Sequence, residues 1–208
     1  MDSGPRFRSA GMTERYSMAS ILLAGPELEP VTLAETKHFL RVEHDDDDDV
    51  IGGLIGGARA HLEAQTRRAL ITQNWRVIRD VWPETGCVSL LPAPVQTLDA
   101  ARIYRADGTT LALGLGGFVL DTSEAPARVS FIHDMPTAPG RRAAGIEIDF
   151  TCGYGDTAAS VPEPLRLAIR LLATHWYENR GIVATSGKVL VLPHTVAALI
   201  APYRVLSL

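Results

Sequence analysis

The sequence predicts an α+β chain in which a small helical domain of about four helices is interrupted by an antiparallel β insertion. Three observations predict it. Apolar residues recur at three- and four-residue spacing before residue 70 and again after residue 160. Between 71 and 152 the period drops to two, and turn residues punctuate that stretch at short intervals.

Residues 1–30 carry Gly4, Pro5, Gly11, Gly25, Pro26 and Pro30 with little periodicity, so they are expected to be a flexible N-terminal segment. Met12 and Met18 are alternative starts within it. Thr32 and Glu35 have capping-box spacing, and Leu33, Thr36, Phe39 and Leu40 form a short stripe behind them. An acidic run follows and reads as the cap of a second helix over 48–69, with Val50, Ile51, Leu54, Ile55, Ala58, Leu62, Gln65 and Ala69 on its stripe. That helix contains Gly52, Gly53, Gly56 and Gly57. Each glycine costs about 0.8–1 kcal/mol relative to alanine, so a close approach of another backbone is the expected compensation.

From Ile71 the pattern alternates. Trp75, Val77, Arg79 and Val81 oppose Arg76, Ile78, Asp80 and Trp82, as in a strand. Further strands are expected at 87–91, 101–105, 109–113, 118–120, 128–132 and 146–150. Ala106, Asp107 and Gly108 give a hairpin signal between two of them. Ser160 and Glu163 repeat the capping-box spacing ahead of a helix with Leu165, Ala168, Ile169, Leu172 and Trp176 on one face, and Gly181 is its expected C′ residue. A short helix over 195–201 is stopped by Pro202. The expected division is 1–30 flexible, 31–70 with 160–208 helical, and 71–152 the β insertion.

With 208 residues, 46% apolar and 21% charged, the composition is that of an ordinary globular chain. The apolar patch Ile21, Leu22, Leu23, Ala24 is too brief for a signal-peptide core, and no run approaches the roughly 18 residues of a membrane span. Two cysteines, Cys87 and Cys152, make neither a disulfide framework nor a four-ligand zinc site, and a reduced cytoplasmic chain is expected. The net charge of −4 argues against nonspecific duplex binding. Its distribution is uneven: −6 over residues 43–49 and +3 over residues 162–208.

Little in the sequence spells out chemistry. Counted from Asp45, the sixth and twelfth positions are Val50 and Gly56, which breaks the EF-hand pattern. The six histidines show no HExxH or Cys/His spacing. Gly153, Tyr154, Gly155 and Asp156 lack the Walker lysine and read as a strand-ending turn. No catalytic, metal or cofactor site is expected.

Several stretches carry more than periodicity. They are 31–42 (VTLAETKHFLRV), 58–63 (ARAHLE), 68–75 (RALITQNW), 90–94 (LLPAP), 150–156 (FTCGYGD), 161–180 (VPEPLRLAIRLLATHWYENR) and 201–205 (APYRV). In this order and spacing they resemble the head–tail connector (adaptor) proteins of long-tailed phages, prophages and phage-like gene transfer agents. The resemblance covers residues 28–206. It departs at the two Gly-Gly pairs, where relatives carry helix formers, and over roughly the first 18 residues.

The resemblance implies a structural protein without a cofactor. It implies a ring of about twelve copies beneath the portal at one capsid vertex. The ring's partners would be further copies of itself, the portal protein and the next neck component, the stopper. DNA would pass through the channel without sequence-specific binding, and no membrane is involved. The place implied is the neck of a virion or particle, assembled in the bacterial cytoplasm. Tyr203, Arg204, Val205 and Leu206 are the portal-contact candidates. The two charged regions suggest Asp45, Asp46, Asp47, Asp48, Asp49, Arg166, Arg170 and Arg180 as subunit-contact candidates. The alternatives are another prophage neck or virion structural protein, or a small cytoplasmic enzyme whose site escapes motif detection.

Overall fold

In the computed structural model, which describes residues 18–132, 136–179 and 193–206, Thr32 caps helix α1 (Leu33–Leu40). Its Oγ1 accepts the Glu35 N–H at 3.1 Å, while Glu35 Oε2 accepts the Thr32 N–H at 2.8 Å. Two orphan donors of the first turn are thereby satisfied reciprocally. Helix α2 (Asp48–Thr66) begins in the acidic run and stops short of the expected residue 69. Arg67 turns left-handed at φ 55, and Ala93 takes over the pairing, donating to Arg67 O and accepting from Ala69 N–H. Residues 69–71 are thus pulled out of the helix and buried.

Helix α3 (Glu163–Glu178) corrects one expectation. Its N-cap is Pro162, with no side-chain cap bond, so the Ser160 capping box does not form. Ser160 sits in a preceding 3-10 turn, and its Oγ meets Thr157 Oγ1 at 3.0 Å. Two prolines flanking Glu163 already fix the helical entry and remove an orphan donor. Helix α4 (His194–Ile200) runs into a 3-10 turn, Ala201–Tyr203, that contains Pro202. Gly181, Arg180 and residues 189–192 lie outside the described residues.

Among the described residues, eight strands form two antiparallel sheets. The first has five strands in the order β1 (Met18–Ala24), β2 (Gln73–Arg79), β8 (Ile146–Cys152), β4 (Val95–Tyr104) and β5 (Thr110–Leu113). The second has three: β3 (Cys87–Leu90), β7 (Ala127–Phe131) and β6 (Phe118–Asp121). The β4–β5 hairpin closes at the expected turn, where Gly108 takes φ 83 and Asp107 Oδ1 accepts the Thr109 N–H. Strand β1 is a correction. Residues 18–24 were expected within a flexible segment, yet they pair with β2 along its length. Their apolar residues fall on both faces of an exposed strand, so no alternation marked them.

Central strand β8 shows how the sheet is partitioned. Ile146, Ile148, Phe150 and Cys152 point into a buried β core, while Glu147 and Asp149 face outward. Across the neighbouring strands, Arg76 and Arg102 clasp them. Arg76 Nε meets Asp149 Oδ1 at 2.6 Å and Arg102 Nε meets Glu147 Oε2 at 2.7 Å, each in direct cross-strand register. Trp82, Phe118 and Phe131 cluster at 5.1–6.5 Å between centroids in the β core, with Phe131 in edge contact with the other two rings. A separate apolar core joins the helices, with Ile51, Ile55, Leu62, Leu165, Ile169, Leu172, Val196 and Ile200 all buried in it.

Glu63 joins the two cores. Its Oε1 accepts the Leu70 N–H and Gln73 Nε2, and its Oε2 accepts Arg59 Nη1 at 2.7 Å. Burial raises the carboxyl above its ordinary value, with these donors pulling it partway back. The turn leaving β8 needs its glycines. A Cβ at Gly153, φ 127, would lie 2.5 Å from Ile71 O, and one at Gly155, φ 149, would strike Ser160 Oγ. That close approach, and not phosphate binding, accounts for the Gly-Tyr-Gly sequence.

Candidate functional site

The acidic run is folded back on its own subunit at three points. Lys37 Nζ reaches Asp45 Oδ1 and Asp48 Oδ1, each at 2.6 Å, and Tyr177 OH donates to Asp47 Oδ2. Hydrogen bonding to Lys37 holds the Asp45 carboxyl below its ordinary value. Asp46 and Asp49 stay exposed. Among the described residues no three metal-ligating side chains come together.

The basic candidates also turn inward. Arg166 Nε donates to Pro30 O at 3.0 Å, and its Nη groups reach Glu35 Oε1 and Glu163 Oε2. Arg170 meets Glu163 as well. Arg166 fastens the start of α1 onto α3 and Arg170 pairs within α3, so both cations are engaged by carboxylates of their own chain. Arg180 lies outside the described residues.

The C-terminal segment beyond Pro202, which carries the portal-contact candidates, does not extend away from the chain. Through Val205 it instead crosses the C-terminal end of α2. Arg68 Nε donates to Tyr203 O at 2.7 Å, Val205 N–H donates to Thr66 O at 3.0 Å, and Arg204 reaches Gln65 Oε1. The reason is an open acceptor at the end of α2 and a hydrophobic seat for Val205, which is buried. Leu206, 81% exposed, is the first residue to stand free of this packing.

Next to this crossing lies a surface that the sequence reading did not single out. A groove of about 690 Å³ runs between β1 and the C-terminal half of α2. Leu22, Ala60, Ala64, Trp75, Leu91 and Pro92 give it an apolar lining, with Arg67 and Arg68 also on its wall. Ile21, Leu22 and Leu23 on the adjoining strand are each 46–47% exposed. Among the described residues, no backbone makes the expected close approach to the α2 glycines. Gly57 faces Trp176 and Gly56 faces Glu29, but a Cβ at Gly52 or Gly53 would meet nothing within 4 Å.

Comparisons with known proteins bear on these surfaces together. The family model for phage gp6-like head–tail connector proteins matches residues 30–101. No curated protein matches the sequence. Among solved structures, a chain in the neck of an empty gene transfer agent particle, computed with C6 symmetry, is similar with a TM-score of 0.77 and 27% identity. The match covers 91% of this chain and 97% of that one. A chain in the virion of the native gene transfer agent particle is similar with a TM-score of 0.76 at 27% identity, over 91% of this chain and 96% of that one. One in the native particle's neck, computed with C12 symmetry, has a TM-score of 0.70 at 27% identity, over 90% and 97%.

Proposed function

We infer that this chain, a phage head–tail connector protein by its family match and its likeness to chains of the gene transfer agent neck, works as a structural adaptor in the neck of a phage or phage-like particle. The observation that carries the reading is likeness along nearly the whole of both chains, helices and sheets together. The family and the similar structures are structural neck components, which speaks against an enzyme.

Copies of the chain form a ring under the portal. The C6 and C12 symmetry of the similar necks supports a ring, and twelve copies is the number the second of these favours. The helical unit, 31–70 with 160–208, takes part in the ring contacts. The β insertion, 71–152, faces outward or toward the stopper. DNA passes through the shared channel without sequence-specific binding, consistent with a net charge of −4. Assembly takes place in the bacterial cytoplasm.

Portal contact is assigned to the C-terminal segment. Leu206 is its exposed contact residue, and Tyr203, Arg204 and Val205 set where it leaves the subunit. Imaging particles that carry a labelled copy of this chain tests the reading. Density for the chain in the neck is expected, and deletion of its gene should leave DNA-filled heads without tails. Tailed particles at normal yield after deletion would overturn it.

A further inference from the structure

We propose that the groove between β1 and the C-terminal half of α2 is a socket for the neighbouring copy of this chain, and that it receives the acidic corner between α1 and α2. The proposal rests on the ring reading above and names the surfaces through which the ring closes.

The first observation is the state of β1. It is the edge strand of its sheet, and among the described residues nothing pairs with its outer side. Edge strands are usually blunted by charge, proline or a covering element. Residues 18–24 contain no charge and no proline, and they present three large apolar side chains in succession, on both faces. Leu22 then leads into the apolar groove, where Ala60 and Ala64 leave room against α2. An apolar patch of this kind on a stable subunit marks a protein contact.

The second observation is the other end of α2. The α1–α2 corner exposes Phe39 (41%) and Val50 (42%), with Glu43, Asp46 and Asp49 exposed around them. It is an apolar projection with an acidic collar, while the groove is an apolar recess whose wall carries Arg59, Arg67 and Arg68 against one carboxylate, Glu63. The net charges are complementary, and opposite potentials fix orientation as two such surfaces meet. Gly52 and Gly53, with open space beside them, let a neighbouring surface come close to the same end of the helix.

The third observation is placement. Val50 and Arg67 lie about 25 Å apart along one helix at 1.5 Å per residue. Projection and recess therefore sit at opposite ends of a single rigid element. A contact between unlike surfaces repeats from copy to copy and closes by rotation, whereas β1 pairing with β1 would give only a two-fold dimer.

The test uses particles assembled with the full chain. In the double variant Leu22→Cys/Val50→Cys, a short bismaleimide should produce a ladder of covalent multimers. Either single variant should stay at the parent background, set by half-buried Cys87 and buried Cys152. Both substituted side chains are exposed, so neither change enters a core. As a second measurement, Leu22→Asp should keep the parent's circular dichroism and lower incorporation into particles by about tenfold or more. Normal incorporation of the double variant without a ladder overturns the socket and leaves the ring reading standing. So does normal incorporation of Leu22→Asp. Self-crosslinking of Leu22→Cys alone would reveal a two-fold contact and also overturns it. A parent chain absent from the particle neck removes the ring reading and the socket together.

Discussion

Asp149 lies between two guanidinium groups on the outward face of the central strand. Burial pushes its carboxyl up, but the hydrogen bond from Arg76 and the charge of Arg102 outweigh burial and leave it below the ordinary aspartate value. A carboxylate depressed in the native state contributes stability that is present above the unfolded value and lost as pH falls through the native one. Stability should therefore begin to fall as pH drops past the ordinary aspartate value of 3.8 and keep falling below it. Glu35, held down first by the Thr32 N–H, acts in the same direction from its own ordinary value of 4.5. Asp149→Asn should flatten part of that acid loss. At neutral pH it should cost about 1–3 kcal/mol, less than the loss of a fully buried partner because the site is partly wet. Urea melts of the two proteins between pH 7 and about pH 3 measure both effects.

The helices show how much local sequence decides. Thr32 and Ser160 carry the same capping-box spacing, yet only Thr32 makes the bonds. Thr32→Ala should cost about 1 kcal/mol, and Ser160→Ala less than about half of that, in the same melts. The spacing of polar residues is legible in a sequence. Competition from Pro162 and Pro164, which set the start of α3 without a side-chain cap, depends on the backbone path and is harder to read. Strand β1 was illegible for a different reason. A half-buried strand betrays itself by alternation, and β1 has none because both of its faces are exposed within the subunit. The glycines of α2 were legible as an anomaly, but their explanation was not. Gly52 and Gly53 have open space around them, so Gly52→Ala and Gly53→Ala should each stabilise the isolated chain by about 0.5–1 kcal/mol. Thermal melting should show a rise of roughly 1–4 °C for each. Gly57→Ala should gain less, because its Cβ would meet Trp176 at 3.4 Å.

At the scale of the whole molecule, the half-buried carboxylate of Glu63 helps tie two apolar cores, and the C-terminal segment is strapped across the end of α2. The order of the helices and of strands β2 to β8, and the connector resemblance, were legible because they follow from stripes, turns and motif order along the chain. The docking of Tyr203, Arg204 and Val205 was not, because it depends on Thr66 O and Gln65, which are remote in sequence and adjacent only after folding. This docking changes how the portal assignment has to be tested. Deleting the segment from residue 203 would remove the bonds to Arg68, Thr66 and Gln65 and the buried Val205, so a failure to assemble would report instability as readily as lost contact. Leu206 separates the two effects because it is 81% exposed. Leu206→Asp should leave the melting free energy within about 0.5 kcal/mol of the parent, as surface substitutions do. If the segment docks on the portal through an apolar contact, the same variant should lower the yield of tailed particles while free heads accumulate, because a carboxylate placed in that contact loses its hydration without gaining a partner. Tail attachment at normal yield by heads carrying only Leu206→Asp chains would overturn a portal contact through this segment.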